Sequence, residues 1–156
     1  MKRRHVKVFL DSNVILSGLL SDKGAPRVLL DILSLGLPFL SGATGEYNMM
    51  EIERNLNTKL PKALPVFKTY FPTIRLKLLP LPNRKSVDTI AQWINAKDAP
   101  VLASALSWHA DYLITGNIKD FDTQMLRKAG LSIKIVSPAS FVDETLPKLI
   151  HLSGES

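Results

Sequence analysis

Apolar residues along this chain keep two rhythms, short continuous runs and stretches that repeat every three to four positions. Val6, Val8, Phe9 and Leu10 form a run that predicts a buried strand over residues 5–11. Ser12 to Lys23 mixes polar and apolar positions around Gly18, which predicts a short helix and a loop. Pro26 suits the first turn of a helix carrying Val28, Leu29, Leu30, Ile32 and Leu33, with Gly36 as its stop. A second strand is expected over 37–41, with Pro38 at its start or edge. A helix over 44–58 places Met49, Ile52 and Leu56 on one side, and Asn48, Glu51 and Asn55 on a neighbouring polar face. Pro61 and Pro65 bracket a further helix at 62–70.

The second half continues the alternation. Ile74, Leu76 and Leu78 predict a strand over 73–81. Ser86 is placed to cap a helix whose Val87, Ile90, Ala91 and Ile94 share a face. Asp98-Ala99-Pro100 opens a helix running to about Ala110, and 112–116 reads as a strand. A helix at 122–129, with Asp122 as its cap and Gly130 as its stop, precedes a last strand at 132–136. The expected fold is a three-layer α/β/α domain, with a central, mostly parallel sheet of four to five strands. The whole of 1–156 reads as one domain, its core at about 4–145 and its tail, 146–156, loosely held.

Composition narrows the function classes. No apolar run approaches the roughly 20 residues of a membrane span. The run from Val6 to Leu10 is too short for a signal-peptide core of about 7–15 residues. There is no cysteine, which excludes disulfides and thiolate metal sites. A cytoplasmic location is the default expectation. The net charge is +6, which either attracts a polyanion or reports only solubility.

Several acidic residues fall where this fold gathers ligands, beyond the carboxyl ends of parallel strands. Asp11 ends the first strand, Asp98 opens a helix, and Asp120 follows the strand at 112–116. With Glu51 they make a set of carboxylates that repel one another unless a cation joins them. An oxygen-only donor set suits Mg2+ or Mn2+, and metal-assisted phosphodiester chemistry follows. The same residues have plainer roles: Asp11 as the cap of the next turn, and Asp98 as a helix N-cap with Pro100 behind it. Asp111 precedes its strand and so sits at the wrong end of the sheet. His5, His109 and His151 lie away from the acidic set, and Trp93 and Trp108 read as core.

Taken together, these segments resemble the PIN-domain family of metal-dependent ribonucleases. The resemblance rests on Val8-Phe9-Leu10-Asp11-Ser12-Asn13, Glu51-Ile52-Glu53-Arg54-Asn55-Leu56, Asp98-Ala99-Pro100-Val101-Leu102-Ala103, and Asp111-Tyr112-Leu113-Ile114-Thr115-Gly116-Asn117-Ile118-Lys119-Asp120. Val136-Ser137-Pro138-Ala139-Ser140-Phe141 is similar to the family's closing strand and turn. Nearly the whole chain is covered, in the family's order. The branch it looks closest to holds the toxin components of VapBC-type toxin–antitoxin pairs.

The resemblance implies that Asp11, Glu51, Asp98 and Asp120 are catalytic and metal-holding, with Asn117 as a weaker, neutral donor. Many relatives carry aspartate where this chain has Asn117. Glu51 is chosen over Glu46 and Glu53 by the family's local pattern, and those two face about 140–160° away around the helix. Ser12, Asn13 and Thr115 are expected to orient the carboxylates, or simply to make turn hydrogen bonds. Arg54, Lys59 and Lys62 follow a phosphate backbone in one reading and a solvated helix face in the other.

The expected function is therefore a Mg2+- or Mn2+-dependent endoribonuclease, acting on RNA by water attack as the toxin of a toxin–antitoxin pair. An antitoxin partner and a homodimer are implied by the resemblance, and no membrane is involved. The alternative is a catalytically weak or inactive PIN-like module that binds RNA or protein, which the neutral Asn117 favours. A phosphoacceptor signalling domain fits less well: Thr115 matches its threonine loosely, but Asp11 is the only aspartate at an early strand end and its partners do not match that pattern.

Overall fold

The computed structural model describes residues 5–121 and 123–154. The cap expected of Asp122 lies outside the described residues. Five parallel strands make one sheet in the order β3-β2-β1-β4-β5. They are β1 (Val6–Leu10), β2 (Leu40–Gly45), β3 (Lys77–Leu79), β4 (Tyr112–Ile114) and β5 (Lys134–Val136). Between them run α1 (Ser12–Leu20), α2 (Ala25–Ser34), α3 (Glu46–Lys59), α4 (Ala63–Tyr70), α5 (Arg84–Ile90), α6 (Ala99–Ser107) and α7 (Thr123–Lys128). A short helix α8 (Pro138–Ser140) continues through a π-helical turn into α9 (Leu146–Gly154).

Both faces of the sheet are apolar, as buried parallel strands require. Val6, Val8 and Leu10 of β1, with Leu40, Tyr112 and Ile114, pack with α1 to α4 and the C-terminal helices. Phe9, Ala43, Leu79 and Leu113 point the other way, toward α5, α6 and α7. The side-chain alternation of β1 thus feeds two cores and makes three layers. Among the described residues no helix is long and apolar enough to cross a membrane.

The boundaries differ from the sequence pattern in ways that packing explains. The second strand lies at 40–45, not 37–41, so the third helix starts at Glu46 instead of 44. The strand expected at 73–81 shrinks to β3. Phe71–Ile74 is a 3-10 turn with Pro72 in it, and Arg75 follows with φ 62°, which breaks the extended run. Leu79 faces the core while Leu78 is exposed, so the alternation from Ile74 misplaced the inward face. Asn83, not Ser86, caps α5, by accepting from the Ser86 amide at 2.8 Å. The tail expected to be loose is helical to Gly154, with Leu146 and Leu149 buried in the first core.

Gly18 lets α1 and α2 approach closely. A Cβ there would collide with the Leu30 side chain and lie 3.2 Å from the Pro26 carbonyl oxygen. Gly18→Ala is expected to cost about 1–3 kcal/mol as overpacking, read as a lower denaturant midpoint. An unchanged midpoint would mean that the helix pair is slack.

Candidate functional site

The strand order reverses between β1 and β4, and a crevice opens beyond their carboxyl ends. Asp11 stands at the tip of β1 and Thr115 at the tip of β4. Their side chains meet across the reversal, where the Thr115 hydroxyl donates to Asp11 Oδ2 at 2.9 Å. Asp11 also caps α1: its Oδ1 accepts from the Ser12 amide at 2.8 Å. The capping role expected of Asp11 is thus present, and the same side chain also lines the pocket described next.

A pocket of about 430 Å³ surrounds this point. Asp11, Glu51, Asp98, Asp120 and Asn117 all contribute to its wall, and so do Ser12 and Asn13. Glu51 comes from α3, whose polar face turns into the crevice while Ile52 and Leu56 enter the core. Glu46 and Glu53 do not line it. Asp98 is the N-cap residue of α6, but its side chain makes no capping hydrogen bond, because its backbone is helical (φ −95°, ψ −10°). Its carboxylate is thus left to the pocket. Asp120 ends a 3-10 turn, Ile118–Asp120, and is exposed.

Hydrogen bonds tie these groups together. The Ser12 hydroxyl donates to Glu51 Oε1 at 3.0 Å. Asn13 accepts from the Gly116 amide at 2.9 Å, which pins α1 to the loop after β4. Asn48 is wholly buried, and its side-chain amide donates to Asp11 Oδ1 at 3.2 Å and to Ser12 Oγ at 2.9 Å. Sequence reasoning placed Asn48 on the polar face of its helix and missed this role. Its three-residue spacing from Glu51 was the available signal. Among the described residues Asn48 Oδ1 has no hydrogen-bond partner and neither has the buried Ser104 Oγ; both flank the space above Gly45 Cα, 3.1 and 3.4 Å from where a Cβ would sit.

The basic residues divide. Arg54 and Lys59 line the pocket, and Lys62 does not. Lys97, which the sequence reading passed over, also lines it, beside Asp98. Asp111 sits at the opposite end of the sheet, where Oδ2 accepts from the Lys7 amide at 2.8 Å. No histidine lines the pocket. His5 bonds Pro38 and Ser41 at the other end of β1.

Burial and neighbouring charge both act on these carboxylates. Burial pushes the Asp11 carboxyl above the ordinary 3.8; the Thr115 and Ser12 hydrogen bonds pull it down, Glu51 raises it, and Lys97 lowers it. Asp98 is also raised, first by burial and then by the charges of Asp11 and Asp120. A carboxyl raised on folding contributes stability below its unfolded value, and that contribution is lost as pH climbs through its folded value. The stability of the metal-free protein relative to Asp11→Asn is expected to fall as pH rises from the ordinary carboxylate value of 3.8 through the raised value of the folded protein. Denaturant titrations at each pH measure this, and a constant difference would mean that Asp11 is not strained by its charge.

An all-oxygen donor set around mutually repelling carboxylates is chemically suited to a hard divalent cation. Among the described residues no group of three His, Cys, Asp or Glu side chains stands close enough to hold a metal ion directly. The acids ring the pocket and do not converge on one point, a geometry that suits an ion reached partly through water.

A PIN domain family model matches residues 7–119. Solved structures share the fold at low identity. VapBC from Salmonella typhimurium, bound to DNA, is 16% identical with a TM-score of 0.65, covering 85% of this chain and 98% of that one. VapBC2 from Rickettsia felis, bound to a DNA fragment from its promoter, is 15% identical with a TM-score of 0.61, covering 84% and 97%. PAE2754 from Pyrobaculum aerophilum is 17% identical with a TM-score of 0.55, covering 96% and 90%. At these identities the likeness is one of fold. No curated protein matches the chain.

Proposed function

The chain belongs to the PIN domain family, and from that premise we propose that it is a Mg2+- or Mn2+-dependent endoribonuclease, the toxin of a toxin–antitoxin pair. The observation that carries the reading is that Asp11, Glu51, Asp98 and Asp120 line one pocket at the reversal of the sheet. A bound divalent ion would lower the pKa of water and offset charge on the scissile phosphate.

The protein's own residues do the rest. Asp11, held by Thr115, Ser12 and Asn48, is the fixed carboxylate. Glu51 is held toward it through Ser12. Asp98, free of capping duty, and the exposed Asp120 close the ring, and Asn117 adds a neutral oxygen. Arg54, Lys59 and Lys97 offer positive charge to flanking phosphates. No histidine lines the pocket, so among the protein's own groups a carboxylate is placed to accept the proton of the attacking water. Attack of water on the scissile phosphorus, with the P–O3′ bond breaking and the departing O3′ taking up a proton, leaves a 3′-hydroxyl and a 5′-phosphate. The toxin reading, and with it a small antitoxin partner, follows the resemblance to VapBC-type toxins.

The test is cleavage of a labelled, mixed-sequence single-stranded RNA with Mn2+, with Mg2+ and with EDTA. Cutting with either metal and none with EDTA is expected, with 5′-phosphate ends. Cutting that survives EDTA would refute metal dependence. The neutral Asn117 and the spread of the acids favour a second reading, a module that binds RNA or protein and cuts nothing. That reading predicts RNA retention without cleavage under every metal.

A further inference from the structure

A second recess, of about 480 Å³, opens beside the acidic pocket. Asn13 and Asn117 line both cavities and form the wall between them. The two cavities differ in chemistry. The acidic pocket carries Arg54, Lys59 and Lys97, whereas among the described residues no charged side chain lines the recess.

The recess has apolar walls from Val14, Pro26 and Pro138 and polar positions at Asn13, Ser17 and Asn117. Asn13 is held in place by its acceptor bond from the Gly116 amide. The Asn117 side chain and the Ser17 hydroxyl make no hydrogen bond among the described residues, so their donors and acceptors face outward unspent. Phosphates need cations, and among the described residues lining the two cavities these stand on the other side of the wall. An uncharged cavity with apolar walls and a few amide and hydroxyl groups matches an unstacked base, which has an apolar face and a polar edge.

We propose that this recess is a nucleobase subsite that reads one nucleotide next to the scissile phosphate. The inference rests on the nuclease reading of the acidic pocket and adds a source of sequence preference to it. Phosphate contacts through Arg54, Lys59 and Lys97 position the strand, and the recess selects which phosphate is presented. The amide of Asn117 can both donate and accept, so it can pair with a base edge whether or not it also offers oxygen to a metal.

The experiment uses the full chain and a randomised single-stranded RNA with Mn2+, sequencing the cut ends. Wild type is expected to favour one base at a position flanking the cut by about fivefold or more, the scale of one good base contact. Ser17→Leu and Ala139→Leu, which add bulk to the recess from α1 and from α8, are expected to erase that preference while leaving Mn2+ affinity unchanged. A preference that persists in both variants, or no preference in wild type, overturns the proposal.

If wild type cuts no RNA, the nuclease reading fails separately, and methyl NMR with short single-stranded RNAs decides the recess. Shifts at Val14, Ala25 and Ala139 support a base subsite. Their absence overturns it and leaves the recess to a protein partner's segment.

Discussion

Asp11→Asn is expected to lower RNA cleavage by more than about 100-fold while making the metal-free protein more stable. Loss of a residue that merely supports a metal ligand costs about 10–100-fold, and Asp11 is proposed as the ligand itself. Stability moves the other way because the wild-type charge is buried. Asp11 is 7% exposed and its carboxyl is raised by burial and by Glu51 despite its hydrogen bonds. Asparagine keeps the shape and an oxygen for the Ser12 amide and Asn48, and it removes the charge. A gain of about 1 kcal/mol, or roughly 2–4 °C in melting temperature, is expected in EDTA. If Asp11→Asn lost both activity and stability, the residue would be structural and the functional reading would lose its anchor.

The second large effect is expected at Asn48. Its amide donates to Asp11 and to Ser12, and Ser12 donates onward to Glu51, so one side chain sets two carboxylates. Turning the amide over would aim its oxygen at the Asp11 carboxylate, so the nitrogen must face the site. That orientation leaves Oδ1 buried without a partner, a state that costs about 1–3 kcal/mol. Functional positioning explains why such a cost is tolerated. Asn48→Leu is expected to reduce both Mn2+ affinity and the cleavage rate by about 10–100-fold, with RNA KM little changed. Ser104→Ala removes the other orphan polar atom and is expected to leave cleavage intact while matching or raising stability. A change confined to melting temperature in Asn48→Leu would reduce Asn48 to packing.

What the sequence made legible follows from where local pattern and tertiary packing agree. β1 could be read because a continuous apolar run ends abruptly at Asp11, and a parallel sheet puts such an end at the crevice. Asp98 could be read as an N-cap by position, but its side chain does not cap, and only the backbone angles reveal that. Glu51 was distinguished from Glu46 and Glu53 by family pattern alone; helix spacing separated their faces without saying which face met Asp11. Lys97 was not legible as a site residue, and Asn48 offered only its three-residue spacing from Glu51. The importance of Asn48 comes from contacts with residues 36 and 37 positions away, and Lys97 stands among ordinary surface lysines until the loop before α6 is folded. β3 misled because an edge strand of three residues carries too little alternation to fix its inward face. The tail misled because Leu146 and Leu149 find partners on the first core that a local reading cannot supply.

Calorimetric titration of Mn2+ into the metal-free protein, beside Asp11→Asn and Asp98→Asn, tests most directly whether the acidic pocket is a cation site. The account predicts saturable binding by the wild type that is lost or greatly weakened in both variants. Equal binding by all three proteins, or none by the wild type, would contradict it.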